Sequence, residues 1–273
     1  MNDGAQQQTD VIVVGGGMAG LAAAAYVGRA GNSISLLERS SHVGGRAITN
    51  EMEGFRFNLG PHALYKKGPG AGVLAQLGVP YAGKTPLVRA LLLRNEALHR
   101  VSLNPWHFMT AAILSRSSKL WIGPALVSIL RTKPASVRDV TVQAWLAGIT
   151  PREDIRELML AFVRVTSYCN DPERMSAEIA VTQLKLAAGG VLYLDDGWQV
   201  LVEGLRRAAD FAGARLITNA KVTSVEHDDA GALVRLDDGT ARHASAVIIA
   251  TDPKTAATLV DDAGLRGRAQ RAV

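Results

Sequence analysis

Apolar positions in this chain fall into short unbroken runs and helical stripes, and their order sketches a fold. The run Val11-Ile-Val-Val14 is β-branched and lies between Asp10 and a string of glycines. That is the pattern of a strand buried on both faces, as in the middle of a parallel sheet. Gly15-Gly-Gly-Met-Ala-Gly20 supplies a turn, and the alanine-rich stretch from Leu21 to Tyr26 a helix. A second strand spans Ser33 to Leu37, and another fully apolar one spans Ala246 to Ala250. Phe55 and Phe57 alternate with polar residues, which predicts a short half-buried strand. Gly60-Pro61 closes it, His62 opens a helix to about Leu77, and Gly78 and Pro80 stop that helix.

Farther on, residues 88–101 predict a hairpin with its turn at 94–96, and a mainly helical region follows to about Ala188. Asn104-Pro105 and Thr150-Pro-Arg-Glu153 have the form of helix starts, the second a capping box with proline at the first helical position. The helix after Thr150 carries Ile155, Leu158, Met159, Phe162 and Val165 on one stripe, Asp171-Pro172 breaks it, and Ser176 caps the next. Lys119 to Arg131 is apolar between basic ends and too short to span a bilayer. It suits either an ordinary core helix or a membrane interface, with Trp121, Lys119, Arg131 and Lys133 at headgroup level. After Asp196-Gly197 come a helix to about Phe211, a strand over 214–218, and alternating strands at 221–226 and 233–236 joined by Asp228-Asp-Ala-Gly231.

Composition narrows the classes. The chain has 273 residues, 48% of them hydrophobic, enough for one large or two small cores. A net charge of +5 raises the question of nucleic acid, but no basic run stands out, so no nucleic-acid partner is expected. The single cysteine, Cys169, excludes an intrachain disulfide and a CxxC metal pair, and the six histidines lack metal-ligand spacing, so no metal is expected. The polar opening Met1-Asn-Asp-Gly-Ala-Gln-Gln-Gln-Thr9 is not a cleaved export signal, so a cytoplasmic location is expected, with peripheral contact on the inner face of a membrane as an option.

Chemistry enters with the glycines. Gly15, Gly17 and Gly20 fit G-x-G-x-x-G: a tight turn, close backbone approach to a pyrophosphate, and close packing of helix on strand. Phosphate charge would sit on the free N–H groups of the helix start. Glu38, at the end of the second strand, has the spacing of a carboxylate that accepts ribose hydroxyls. Gly44-Gly45-Arg46 allows another close approach and offers a guanidinium to phosphate oxygens, with a surface arginine in a loop as the plainer reading.

Glycine fingerprint, Glu38, Gly44-Gly45-Arg46 and Phe55-Arg-Phe-Asn-Leu-Gly-Pro-His62 together resemble the FAD-dependent amine oxidase superfamily. This group includes flavin amine oxidases, protoporphyrinogen oxidases and phytoene desaturases. The resemblance implies an α/β fold: a Rossmann-like FAD-binding sheet (GR2-type) with an inserted, largely helical substrate domain. It divides the chain into a discontinuous cofactor domain, 1–80 and 190–273, and a substrate or membrane-facing insert, 81–189. It implies FAD, because in that family the second glycine–arginine motif lies along the flavin side. The cofactor-binding positions it implies are Gly15, Gly17, Met18, Ala19, Gly20, Glu38, Arg39, Gly45, Arg46, Gly60, Pro61 and His62. Val222 joins them as the counterpart of the valine whose backbone pairs with the adenine.

The implied activity is removal of a hydride from a small lipophilic substrate, with the redox chemistry supplied by the flavin. No catalytic residue announces itself. His62 is the titratable candidate, set against a structural role at a helix start, and Cys169 suits a buried filler. Two departures stand out. Asp196-Gly197 replaces a glycine pair, with Asp196 able to cap the following helix, and the family's late Gly-Asp motif has no counterpart here. A truncated product, one half of a split enzyme with a C-terminal partner chain, and a non-catalytic dinucleotide-binding remnant all fit the second departure. An NAD-dependent dehydrogenase fits Glu38 but leaves Gly45-Arg46 unexplained.

Overall fold

A computed structural model of the chain describes residues 9–60, 63–86, 90–94, 96–101, 114–115, 117–228 and 231–260. In chain order its main elements are β1 (Thr9–Val14), α1 (Met18–Arg29), β2 (Ile34–Leu37), β3 (Thr49–Met52), β4 (Phe55–Asn58) and α2 (Pro69–Leu77). Next come β5 (Ala90–Arg94), β6 (Ala97–Val101), α3 (Ser118–Arg131), α4 (Val142–Ile149), α5 (Glu153–Ser167) and α6 (Ala177–Ala188). The last are α7 (Gln199–Phe211), β7 (Arg215–Ile217), β8 (Val222–Asp228), β9 (Gly231–Leu236), β10 (Ala241–Ile249) and α8 (Pro253–Leu259). Two compact units result. The first is Met1–Leu64, Pro69–Lys84 and Tyr193–Val273, and the second is Tyr65–Gly68 and Thr85–Leu192.

The first unit is built on a six-stranded sheet in the order β7-β2-β1-β10-β9-β8. The four strands β7, β2, β1 and β10 run parallel, and β9 and β8 add antiparallel pairs. Alternation along β1 feeds both faces. Val13 packs with Leu21, Ala24 and Ala25 of α1 and with Leu201, Val202 and Leu205 of α7. Ile12 and Val14 pack on the other side with Val222, Val234, Leu236 and Leu259. Each large side chain so buried contributes roughly 1.5–3 kcal/mol of transfer free energy. The unbroken apolar run of β1 is thus the signature of a strand with no solvent face.

Two local expectations for this unit are corrected. The helix expected from His62 starts at Pro69, and Leu64–Tyr65 is extended instead. Proline at the first helical position is preset for that start, which makes Pro69 the stronger signal. Pro61 and His62 themselves lie outside the described residues. Phe55 and Phe57 are exposed, at 68% and 49%, instead of half-buried. The β3–β4 hairpin turns its other face, with Thr49 and Asn58, toward α7 (below), which leaves both phenylalanines outward.

The second unit is mainly helical. Ile122 and Ile129 of α3, Leu146 of α4, Ile155 and Leu158 of α5 and Val181 of α6 share one core, against which Leu92 of β5 packs. Ser176 caps α6 through a bond from the Glu178 N–H. Thr150 does not cap α5: that helix begins at Glu153, and the Thr150 hydroxyl takes the Arg152 N–H at 3.2 Å. On α5, Val163 takes the buried place expected of Val165, which is 72% exposed. The helix ends at Tyr168 in the left-handed conformation, ahead of Asp171-Pro172. Asn104-Pro105 lies outside the described residues.

Candidate functional site

The glycine loop sits where β1 hands over to α1, in the first unit, and its three signature glycines meet three different surroundings. Gly15 has φ +107°, and a Cβ there would lie 2.8 Å from the Ala250 carbonyl oxygen. A Cβ on Gly20 would stand 1.9 Å from the Gly15 carbonyl oxygen, so only glycine lets the helix start so close to the strand. A Cβ on Gly17 would meet nothing within 4 Å. Its φ of −71° also suits any residue, so neither packing nor backbone angle requires glycine there. Open space over a glycine at a helix start is what close approach of a ligand backbone to the chain requires. No side chain caps that start and no acid occupies the first turn, so the N–H groups of Met18, Ala19 and Gly20 are left to an anion.

Glu38 closes one side of the loop. It is 9% exposed, one carboxylate oxygen accepts the Gly16 N–H at 2.7 Å, and the other accepts the Ser40 N–H at 2.8 Å. A carboxylate has about four acceptor positions, so two bonds hold it in place and the rest remain for hydroxyl donors. Gly16, overlooked between the signature glycines, therefore locks the acid to the loop. A Cβ there would press on Val43 at 2.8 Å and on Glu38 at 3.0 Å. The triple-glycine run was the available signal.

The second glycine motif docks on the first. Gly44 N–H donates to the Gly16 carbonyl at 2.8 Å, and Gly17 and Gly44 form a parallel bridge. A Cβ on Gly45 would lie 3.6 Å from the Gly17 Cα, and one on Gly60 would lie 2.4 Å from the Arg46 carbonyl oxygen. Gly60, Arg46, Gly45, Gly17, Gly16 and Glu38 thus form one chain of contacts. The Arg46 side chain is exposed and has no hydrogen bond or ion pair among the described residues; the same holds for Arg39. Ala220 N–H donates to the Glu38 carbonyl at 2.9 Å and Asn219 N–H to that of Ser40, which brings the start of β8, with Val222 9% exposed, beside the acid. Pro61 and His62 fall outside the described residues.

A further feature escaped the sequence. The N-terminus of α7 is capped from a distance: Asn58 Oδ1 accepts the Trp198 N–H at 3.0 Å, and Thr49 Oγ1 accepts the Gln199 N–H at 3.1 Å. Gly197, at φ +70°, makes room, since a Cβ there would lie 2.6 Å from Thr49 Oγ1. Asp196, expected to cap α7, pairs with Arg56 instead. That leaves Gly197 as the position of the pair that needs glycine.

The parallel sheet, the open glycine at a helix start and the locked acid define a dinucleotide-binding fold of the Rossmann kind. Comparison with known proteins fixes the family. Residues 18–273 match the model of the flavin containing amine oxidoreductases, and the chain belongs to that family.

Among curated relatives, a Mycobacterium tuberculosis protein bearing the name flavin-containing monoamine oxidase AofH is 31% identical over 267 residues, 89% of this chain and 57% of its own. The chain thus spans little more than half of that relative. A carotenoid 3,4-desaturase of Haloarcula japonica is 56% identical over 52 residues, 19% of this chain and 10% of its own. Among solved structures, an oxidoreductase from Methanosarcina mazei superposes with a TM-score of 0.78 at 20% identity, covering 96% of this chain and 65% of that one. Wild-type putrescine oxidase, solved with putrescine bound, superposes at 0.72 with 19% identity, covering 96% of this chain and 63% of that one. At such identities the superpositions establish the α/β fold. A Rab GDI from Plasmodium falciparum also superposes, at 0.63 with 15% identity, covering 89% of this chain and 65% of that one. Fold alone therefore does not fix chemistry.

Proposed function

We propose that the whole protein is an FAD-dependent oxidoreductase that removes a hydride from a small lipophilic substrate. The observation that carries the cofactor is the contrast at the glycine loop: Gly15, Gly16 and Gly20 are hemmed in by packing, and Gly17 among them faces open space. The residues present fit the adenosine diphosphate half of FAD. Met18, Ala19 and Gly20 N–H groups would take pyrophosphate oxygens, and Glu38 would take ribose hydroxyls and repel a 2′-phosphate. Arg46, exposed and unpaired among the described residues, would add charge to the phosphates. That Gly45-Arg46 packs against the same loop favours FAD over NAD, for which the second motif has no task.

When bound, the flavin supplies two-electron acceptance from a C–H bond. This chain's part is to bind and orient it. Relatives named for amine oxidation and for carotenoid desaturation both match, so the substrate class rests on the leucine- and valine-rich sequence of the second unit, which suits a hydrocarbon-like substrate. Anaerobic addition of carotenoid precursors, porphyrinogens and amines to the FAD-loaded protein tests it. Bleaching of the flavin band by a lipophilic compound supports the reading, and bleaching by small polar amines alone overturns the substrate assignment.

A further inference from the structure

The second unit shows solvent an apolar surface that its own core does not account for. Helix α3 buries Ser118, Ile122, Ala125 and Ile129. On its opposite side Leu120, Val127 and Leu130 are 79%, 46% and 62% exposed, and Trp121 at the flank is 48% exposed. An ordinary surface helix would carry polar residues there. The β5–β6 hairpin repeats the pattern: Leu92 packs on the core while Leu91, Leu93 and Leu98 are each more than 60% exposed.

Charge tells what covers this surface. Between residues 85 and 138 the sequence has eight lysines and arginines and a single acid, Glu96. The rest of the chain carries more acids than bases: 24 of the 25 acids lie outside this stretch, against 22 of the 30 bases. Lys119, Arg131 and Lys133 bracket α3, with Arg131 and Lys133 exposed and none of the three side chains paired among the described residues. Apolar side chains with a basic rim match an anionic lipid surface; of the acids beyond this stretch, Asp154 meets the start of α3 through Ser115 and Ser118, and Glu178 pairs with Arg138. Among the described residues no helix is long and apolar enough to cross a membrane, so the contact would lie in the interface.

We propose that the outward face of α3 is a peripheral binding surface for anionic membranes, with Leu120, Val127 and Leu130 among the acyl chains and Lys119, Arg131 and Lys133 at the headgroups. The proposal does not depend on the flavin reading, and its test uses neither flavin nor substrate. The full chain is floated with vesicles of phosphatidylcholine alone and of equal parts phosphatidylcholine and phosphatidylglycerol. It is expected to float with the anionic vesicles, less so at high salt, and to stay behind with the neutral ones. A basic residue near an anionic surface contributes roughly fivefold in partitioning, so K119Q/R131Q/K133Q should weaken binding about 100-fold. L120E/L130E, which alters only exposed positions, should abolish it without lowering Tm. Trp121 emission should shift blue on vesicle addition, and W121F should remove the shift. Failure of the folded wild-type chain to float overturns the proposal. So does flotation unchanged by salt and by both variants, and so does a vesicle-independent dimer that L120E/L130E converts to monomer, since the face would then belong to a second copy.

Discussion

At the scale of single residues, the glycine loop makes a sharp division. Gly17→Ala adds a methyl into open space at an ordinary backbone angle, so Tm should stay close to that of the wild type while FAD affinity falls tenfold or more. Gly20→Ala puts a Cβ 1.9 Å from a carbonyl oxygen, so the helix must shift and the chain should fail to fold or lose several degrees of Tm. Melting curves and FAD titrations of the two variants separate packing from binding. The reverse result, with Gly17→Ala unstable and Gly20→Ala silent, would mean that the loop is arranged differently. Glu38 was legible from its spacing alone, because strand length and loop geometry place it. Its anchoring through the Gly16 N–H was not legible, because no pattern marks a backbone donor.

Among the elements, the helix ends carry the tests. Asn58 holds the start of α7 from 140 residues away in sequence. Loss of a cap costs about 1 kcal/mol, so Asn58→Ala should lower Tm by roughly 2–4 °C; an unchanged melting curve would show that water replaces the cap. At the start of α3, burial pushes the Asp154 carboxyl up, but bonds from the Ser118 hydroxyl and from the Ser115 and Ile155 N–H groups outweigh it and hold it below the ordinary 3.8. A carboxyl held low when folded adds stability that is whole above its unfolded value and is lost as pH falls through the folded one. Asp154→Asn should therefore flatten the loss of stability below about pH 4, as read from denaturant midpoints across that range. Periodicity located α5 and α7 well, since long amphipathic stripes are strong signals. Ends were less legible. Thr150 resembled a cap and Asp196 a capping acid, yet which side chain reaches a free N–H depends on neighbours remote in sequence, here Asn58 and Thr49.

For the whole molecule, the central claim is that the first unit's loop and acid constitute a flavin site. The sheet itself was legible: Val11 to Val14 of β1 is an unbroken apolar run, β2 is broken only by Ser35, and β10 ends on the apolar run Ala246 to Ile249, and such runs have few alternatives. The exposed apolar side of α3 was half legible, because Lys119 to Arg131 suited both a core helix and an interface, and the structure gives it one buried face and one exposed apolar face. What no pattern disclosed is the acid depletion of residues 85–138, visible only when charges are counted over a long stretch instead of by run.

Arg46→Ala bears on the cofactor directly. It should weaken FAD binding several-fold and leave NAD binding, if any, untouched, as read by titration of each dinucleotide. The most direct measurement is the visible absorption spectrum of the 273-residue chain after incubation with FAD and desalting, beside that of Gly17→Ala. The account predicts a retained flavin spectrum in the wild-type chain and a colourless, equally stable variant. A folded wild-type chain that emerges colourless and binds neither FAD nor ADP in titration would contradict it.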